Sequence, residues 1–158
     1  MNTSQLIHFQ LNGKNITVEV ENHINVVELL NRYQLKGARE SCGQGLCGAC
    51  TILVDQLAIS GCLTPAVMLD GKSVQTVEGL SSINEKLHPI QQAFINKGAF
   101  QCAFCTPGFI MMTKHLLDIN PNPTDEEICD FFTGNLCRCG SYPEIIAAVH
   151  EAVELMKN

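Results

Sequence analysis

The sequence predicts an α+β fold in which a small mixed β-sheet unit precedes a bundle of four helices. Two strand-like segments, a short helix and further strand-like segments fill residues 1–80, whereas residues 81–158 show helical spacing of apolar side chains. The change in pattern after Gly79 puts the domain boundary near residue 80. Each half is small for a self-sufficient core, so a metal centre in each would add stability.

The N-terminal half begins with a predicted β-hairpin over residues 5–20. Apolar residues alternate in QLIHFQL and NITVEV, and the Asn-Gly pair at 12–13 tolerates the positive φ angles of a tight hairpin turn. NVVELLNRYQL predicts a short helix. Residues 37–50 are rich in Gly and Cys without periodicity, which is typical of a loop, and strand-like segments follow at 51–54 and 73–77.

The C-terminal half predicts four short helices that pack as a bundle. The first begins at Pro89, and Thr106 is the expected N-cap of the second. Thr124 and Glu127 have the spacing of a capping box for the third. The fourth covers about 143–156, with apolar residues along one face.

Composition limits the classes of function. Sixteen acidic against ten basic residues give a net charge of −6, which argues against a nucleic-acid-binding surface. No apolar run is long enough to span a bilayer, and the N-terminus shows no export signal, so we expect a cytoplasmic protein. Structural disulfides are rare there, and the nine cysteines therefore favour metal binding.

The first cysteine group has the plant-type [2Fe–2S] spacing, C-x4-C-x2-C with a fourth cysteine further on. Its predicted ligands are Cys42, Cys47, Cys50 and Cys62. The glycines between the first three cysteines would let backbone N–H groups approach sulfur. A structural zinc site prefers two paired Cys-x2–4-Cys units, so it fits this spacing poorly.

The second cysteine group consists of two pairs separated by 31 residues, and each pair flanks a predicted helix. Its predicted ligands are Cys102, Cys105, Cys137 and Cys139. Four thiolates suit either zinc or another [2Fe–2S] cluster, and the spacing alone does not decide between them. A thioredoxin-like redox motif is disfavoured because no βαβ pattern surrounds the Cys-x-x-Cys pair.

The motifs ESCGQGLCGACT, GCL, QCAFCTPG and GNLCRCGSYP together closely resemble the iron–sulfur subunit of the molybdenum hydroxylases. That family includes xanthine dehydrogenase, aldehyde oxidoreductases, carbon monoxide dehydrogenase and N-heterocycle hydroxylases. The resemblance covers essentially the whole chain. It implies a β-grasp, ferredoxin-like [2Fe–2S] domain over 1–80 and a helical [2Fe–2S]-binding domain over 81–158.

The resemblance further implies an electron-transfer subunit that performs no substrate chemistry itself. Electrons would enter the second cysteine group from a large molybdopterin-binding subunit and leave through the first, in many relatives to an FAD-binding subunit. Gln101 resembles the glutamine that hydrogen-bonds the pterin, and Cys139 would lie nearest to it. Two alternatives remain at this point: a free-standing two-cluster ferredoxin that shuttles electrons, and a structural zinc protein.

Two positions depart from these patterns. Ala103 lies inside the second Cys-x-x-Cys pair, where most relatives have glycine, and its methyl group favours a negative φ. Cys129 belongs to neither group, and its place in the third helix predicts a buried structural thiol.

Overall fold

A computed structural model describes residues 3–81 and 86–157 of the chain. The N-terminal half forms one mixed sheet with the strand order β2-β1-β5-β3-β4. Strands β1 and β5 run parallel, and every other neighbouring pair is antiparallel. The strands are β1 (Ser4–Leu11), β2 (Lys14–Glu21), β3 (Thr51–Val54), β4 (Leu57–Ser60) and β5 (Ser73–Gln75).

The predicted hairpin is confirmed by the register of β1 and β2. Asn12 and Gly13 have φ angles of 49° and 79°, as a tight hairpin turn of the primed type requires. Strand β5 ends two residues earlier than predicted. The backbone N–H of Thr76 donates to the Asn12 side chain at 2.9 Å, which replaces a ladder hydrogen bond, and a 3₁₀ turn follows at Val77–Gly79.

Helix α1 (Val26–Arg32) covers the sheet and supplies much of the first core. Its start is fixed by a capping box, in which Asn25 and Glu28 exchange side-chain-to-backbone hydrogen bonds of 2.8 and 2.9 Å. The helix buries Val26, Val27, Leu29 and Leu30 against apolar residues of the sheet. A short 3₁₀ segment, Ala66–Leu69, closes the same core.

The C-terminal half contains the four predicted helices: α2 (Pro89–Asn96), α3 (Thr106–Ile119), α4 (Asp125–Phe131) and α5 (Tyr142–Met156). They enclose a second core in which Phe109 and Phe132 meet edge to face at 5.2 Å. The capping box of Thr124 and Glu127 is confirmed at α4. Thr106 is the first residue of α3 rather than its N-cap, because Cys105 takes the capping position.

The two halves pack against each other, since α3 lies against β3 and β4. The α+β prediction is confirmed, with a mixed sheet first and four helices after it. The expectation for Cys129 is wrong, because this thiol is exposed. Its neighbour Ile128 is the buried residue of the short helix α4, and the next position along a helix points about 100° away.

Candidate metal centres

Cys42, Cys47 and Cys50 of the first cysteine group lie in an irregular loop between α1 and β3, and Cys62 follows β4. Cys47, Cys50 and Cys62 are buried, and Cys42 is half-buried. The loop brings the thiols together in two neighbouring pairs, Cys42 with Cys47 and Cys50 with Cys62. The three glycines between Cys42 and Cys50 have φ angles of 62°, 70° and 68°, so a residue with a side chain would be strained at each.

Hydrogen bonds and burial act in opposite directions within this group. The backbone N–H groups of Gln44 and Leu46 each lie 3.4 Å from the Cys42 sulfur, and they lower its pKa to about 6. Burial raises the pKa of Cys50 to about 11. The loop therefore stabilises thiolate charge at its outer edge, while the inner thiol needs a cation to ionise.

The second cysteine group joins two distant segments. Cys102 and Cys105 precede α3, and Cys137 and Cys139 lie in the turn before α5. The thiols are again paired, Cys102 with Cys139 and Cys105 with Cys137. Each pair therefore combines one thiol from each segment, so this group depends on the packing of the helices.

In the second group, as in the first, the pKa of a thiol depends on its burial and on its hydrogen bonds. The backbone N–H of Phe104 lowers the pKa of the exposed Cys102 thiol. Burial raises the pKa of Cys105 to about 12. Burial also opposes ionisation of Cys137, but hydrogen bonds from the backbone N–H of Ser141 and from Cys105 outweigh it and lower the pKa of Cys137.

The loop between Cys102 and Cys105 departs from the expected backbone. Ala103 has a φ angle of +58°, in the left-handed region that L side chains rarely adopt. The expectation of a negative φ is therefore wrong. The Cys-x-x-Cys turn keeps the conformation suited to glycine, although the residue there is alanine.

Gln101 and Cys139 are direct neighbours. The Gln101 side-chain amide donates to the Cys139 carbonyl at 3.3 Å, and Gln101 is itself exposed. The two residues predicted to contact a cofactor thus share one edge of the second group.

A cavity of about 410 Å³ lies between the two cysteine groups. The thiols of Cys42, Cys47, Cys102, Cys105 and Cys137 all line it. At its wall the backbone N–H of Leu136 donates to the Cys47 carbonyl at 3.0 Å. A single backbone hydrogen bond therefore connects Cys47 to the residue next to Cys137.

Glycines make this close approach possible. A Cβ atom on Gly108, in the first turn of α3, would lie 2.1 Å from the Gly48 carbonyl oxygen. A Cβ atom on Gly48 would lie 2.3 Å from the Asn135 side chain. The absence of side chains at these two positions lets the first cysteine loop contact α3 backbone to backbone.

Three contacting residues were not found from the sequence. Arg39 reaches the Cys102–Cys105 loop from the first half. The Tyr142 hydroxyl accepts from the Cys137 backbone N–H at 2.9 Å and donates to the Asn135 carbonyl at 3.3 Å. The Arg39 contact ends on a carbonyl 64 positions away. The Tyr142 contacts end on backbone atoms five and seven positions away, and backbone atoms carry no spacing pattern that would indicate them.

The donor set fits iron–sulfur clusters. Across residues 3–81 and 86–157, no three or more His, Cys, Asp or Glu side chains surround a point suited to one metal ion. Each group instead presents two pairs of thiols, and a binuclear cluster takes two thiolates on each iron. Among the same residues, no helix is long and apolar enough to cross a membrane.

Two family models match this chain. Residues 9–83 match the 2Fe-2S iron-sulfur cluster binding domain, and residues 76–150 match the [2Fe-2S] binding domain. The nicotine 6-hydroxylase small subunit of Paenarthrobacter nicotinovorans is 45% identical over 92% of this chain and 88% of its own length.

Two solved structures extend the similarity to three dimensions. A chain of quinoline 2-oxidoreductase from Pseudomonas putida 86 is 38% identical, with a TM-score of 0.93 over 99% of this chain and 98% of that one. The aldehyde oxidoreductase from Desulfovibrio desulfuricans is 36% identical, with a TM-score of 0.91 over 97% of this chain. The match covers 17% of that longer polypeptide.

Proposed function

We propose that this chain, which belongs to the family of iron–sulfur subunits of the molybdenum hydroxylases, relays electrons through two [2Fe–2S] clusters. The domain over 1–80 would hold one cluster with Cys42, Cys47, Cys50 and Cys62. The domain over 81–158 would hold the other with Cys102, Cys105, Cys137 and Cys139. Each bound cluster accepts and donates one electron at a potential set by hydrogen bonds to sulfur and by solvent exposure.

The contact between the two cysteine groups carries this proposal. Leu136 directly precedes Cys137, and its N–H donates to the Cys47 carbonyl at 3.0 Å. A path of covalent bonds with one hydrogen bond therefore runs from a ligand of one group to a ligand of the other. Two structural zinc sites have no need for such a connection, whereas a relay does.

The second cysteine group is proposed as the entry point for electrons. Gln101 and Cys139 would contact the pterin of a large molybdenum-binding subunit, and the hydrogen bond between them supports a common role. A side-chain amide both donates and accepts, which suits the edge of a pterin ring. Electrons would leave through the first group to an FAD-binding subunit.

Substrate chemistry would belong to the large subunit. The relatives described above are named for nicotine, quinoline and aldehydes, and this chain would serve such a catalyst without selecting its substrate. We place the complex in the cytoplasm, because none of the nine cysteines forms a disulfide, as a reducing compartment favours.

Purification of the tagged chain from its host tests the proposal. We expect a reddish-brown complex that contains a larger molybdenum-bearing subunit, identified by mass spectrometry. Reduction should give two paramagnetic [2Fe–2S] signals of equal intensity. Zinc without iron would overturn the redox function, one signal would overturn the second cluster, and two signals in a chain without partners would favour the free-standing electron shuttle.

A further inference from the structure

Arg39 connects the two cysteine groups through its side chain. It stands three residues before Cys42, and its guanidinium donates to the carbonyls of Ala103 and Phe104 at 2.6 and 3.0 Å. The same group lies 5.4 Å from the centre of the Phe104 ring, within cation–π range. Arg39 therefore contacts the Cys102–Cys105 loop through two hydrogen bonds and one cation–π contact.

The Arg39 side chain is held rigidly by its own half of the molecule. Its Nε donates to the Lys36 carbonyl at 3.3 Å, and its backbone N–H donates to the Ala49 carbonyl at 3.0 Å. Both hydrogen bonds to the loop leave Nη1, while Nε donates to Lys36, and a lysine ammonium has no second nitrogen for the Lys36 contact. The position of Arg39 is thus set before it contacts the second group.

The loop that Arg39 contacts contains the strained residue of the site. Ala103 has a φ angle of +58°, in the left-handed region that disfavours residues with a side chain. Such a conformation persists only where surrounding contacts hold it. The Ala103 carbonyl is an acceptor for Arg39, so the contact acts directly on the peptide that carries the strain.

The charge of Arg39 lies against the backbone of the Cys102–Cys105 loop. Within the described ranges, none of the ion pairs involves Arg39. The side chain is half-buried, so solvent screens its charge less than at an exposed site. Adding an electron to a thiolate-bound cluster adds negative charge, which a nearby guanidinium stabilises.

We propose that Arg39 is a positioning residue for the second cluster. It holds the Cys102–Cys105 loop in the left-handed conformation that Ala103 disfavours, and its charge favours reduction of the iron bound there. This inference rests on the proposed function, because it requires a cluster at the second group. The two effects are separable, since one depends on geometry and the other on charge.

The test is an EPR-monitored redox titration of the holo complex with four variants. Arg39→Gln should broaden the signal of the second cluster and lower its equilibrium constant for reduction about tenfold, or about 59 mV for one electron. Arg39→Lys retains the charge but loses the Nε hydrogen bond to Lys36 that fixes the side chain against the loop. It should broaden the signal and leave the midpoint near that of the wild type.

Glycine at position 103 distinguishes the effect of Arg39 on the loop conformation from the effect of its charge. In the Arg39→Gln, Ala103→Gly double variant, glycine adopts the positive φ without help, so the signal should sharpen while the midpoint stays low. Arg32→Gln is the matched control. Arg32 pairs with Glu21 at 2.8 Å on the exposed sheet side, so removal of its charge should change neither signal nor midpoint.

The outcomes separate this inference from the relay itself. One result would be two signals in the wild type together with an Arg39→Gln spectrum and midpoint that match those of Arg32→Gln. This result would overturn the role of Arg39 and leave the two-cluster proposal standing. A broad signal that glycine at 103 fails to sharpen would overturn the loop mechanism. If Arg39→Gln does not accumulate, Arg39→Lys with and without Ala103→Gly decides the same point. A single signal in the wild type overturns the two-cluster proposal and this inference with it.

Discussion

The two cysteine groups reach the same arrangement of paired thiols by different routes. The first takes three thiols from one glycine-rich loop and adds Cys62 from the far end of the β3–β4 hairpin. The second takes one thiol of each pair from a segment more than thirty residues away. The first group is therefore largely a property of local sequence, whereas the second depends on helix packing.

The thiols of the first group are also more deeply buried than those of the second. Three of the four thiols in the first group are buried, while Cys102 in the second is exposed and its neighbours are half-buried. Solvent exposure and hydrogen bonds to sulfur both set the potential of an iron–sulfur centre. The two proposed clusters, each bound by four cysteines, can therefore differ in reduction potential, as a directed relay requires.

Removal of one ligand from each group gives the largest expected effect. Cys42→Ser should abolish the signal of the first cluster and leave the second, because the helical half does not use this loop for its ligands. Cys102→Ser should do the reverse. Iron content and EPR of the reduced proteins measure both outcomes.

The exposed Cys129 provides the control for this pair. It lies outside both groups, so Cys129→Ser should retain full iron content and both signals. If Cys102→Ser also abolished the first signal, the groups would not assemble independently. The contrast between local and packed assembly would then be wrong.

The second prediction separates the two halves by steric conflict. Gly108→Ala places a Cβ atom 2.1 Å from the Gly48 carbonyl oxygen, so α3 must move away from the first cysteine loop. Overpacking of this kind costs about 1–3 kcal/mol, and the midpoint of chemical denaturation should fall accordingly. Gly134→Ala is the matched control, because a Cβ atom there meets no atom within 4 Å. Equal midpoints for both variants would contradict the tight contact.

A third prediction concerns the exposed edge of the second group. Gln101→Ala should retain both clusters and reduce turnover of the assembled complex about tenfold, because a hydrogen bond at the outer edge of the cluster is lost. Gln92→Ala removes an amide from the exposed face of α2 and should leave turnover unchanged. Unchanged turnover in Gln101→Ala would rule out its role at the pterin.

The contrast between the groups also explains what the sequence could predict. The first cysteine spacing, the Asn12-Gly13 turn and the capping box at Thr124 are local patterns with a known physical meaning. The turn and the capping box are confirmed. The cluster ligands stay a prediction. Strand β4 was missed. Its turn uses Asp55 and Gln56, with φ angles of 48° and 70°, instead of the glycine that marks such turns.

The contacts between the halves could not be predicted for a different reason. The hydrogen bond from Leu136 to Cys47 and the hydrogen bond from Arg39 to Ala103 both end on backbone atoms. Every residue has such atoms, so neither contact has a sequence signature. Ala103 even predicts the opposite backbone conformation, because its strain is offset by a partner 64 positions away.

The smallest expected effect is a pH dependence confined to the helical half. The Nδ1 atom of His88 accepts from the Ile90 backbone N–H at 3.3 Å and caps α2. Burial lowers the pKa of His88, and the charge of Lys114 lowers it further, so the neutral form is favoured on folding. Its contribution to stability is present above pH 6.5 and is lost as the pH falls below that value.

Two carboxylates of the sheet half should respond only at lower pH. Hydrogen bonds lower the pKa of Glu21 and Asp55 below 4.5 and 3.8, so their contributions persist until the pH falls through that range. His88→Asn keeps an N-cap acceptor that does not titrate, and it should remove the loss of stability that begins near pH 6.5. Denaturation midpoints of the holo protein at pH 7.5 and about pH 5.5, one unit below the usual histidine pKa, measure the difference. An equal fall in wild type and variant would contradict the contribution of His88 to this pH dependence.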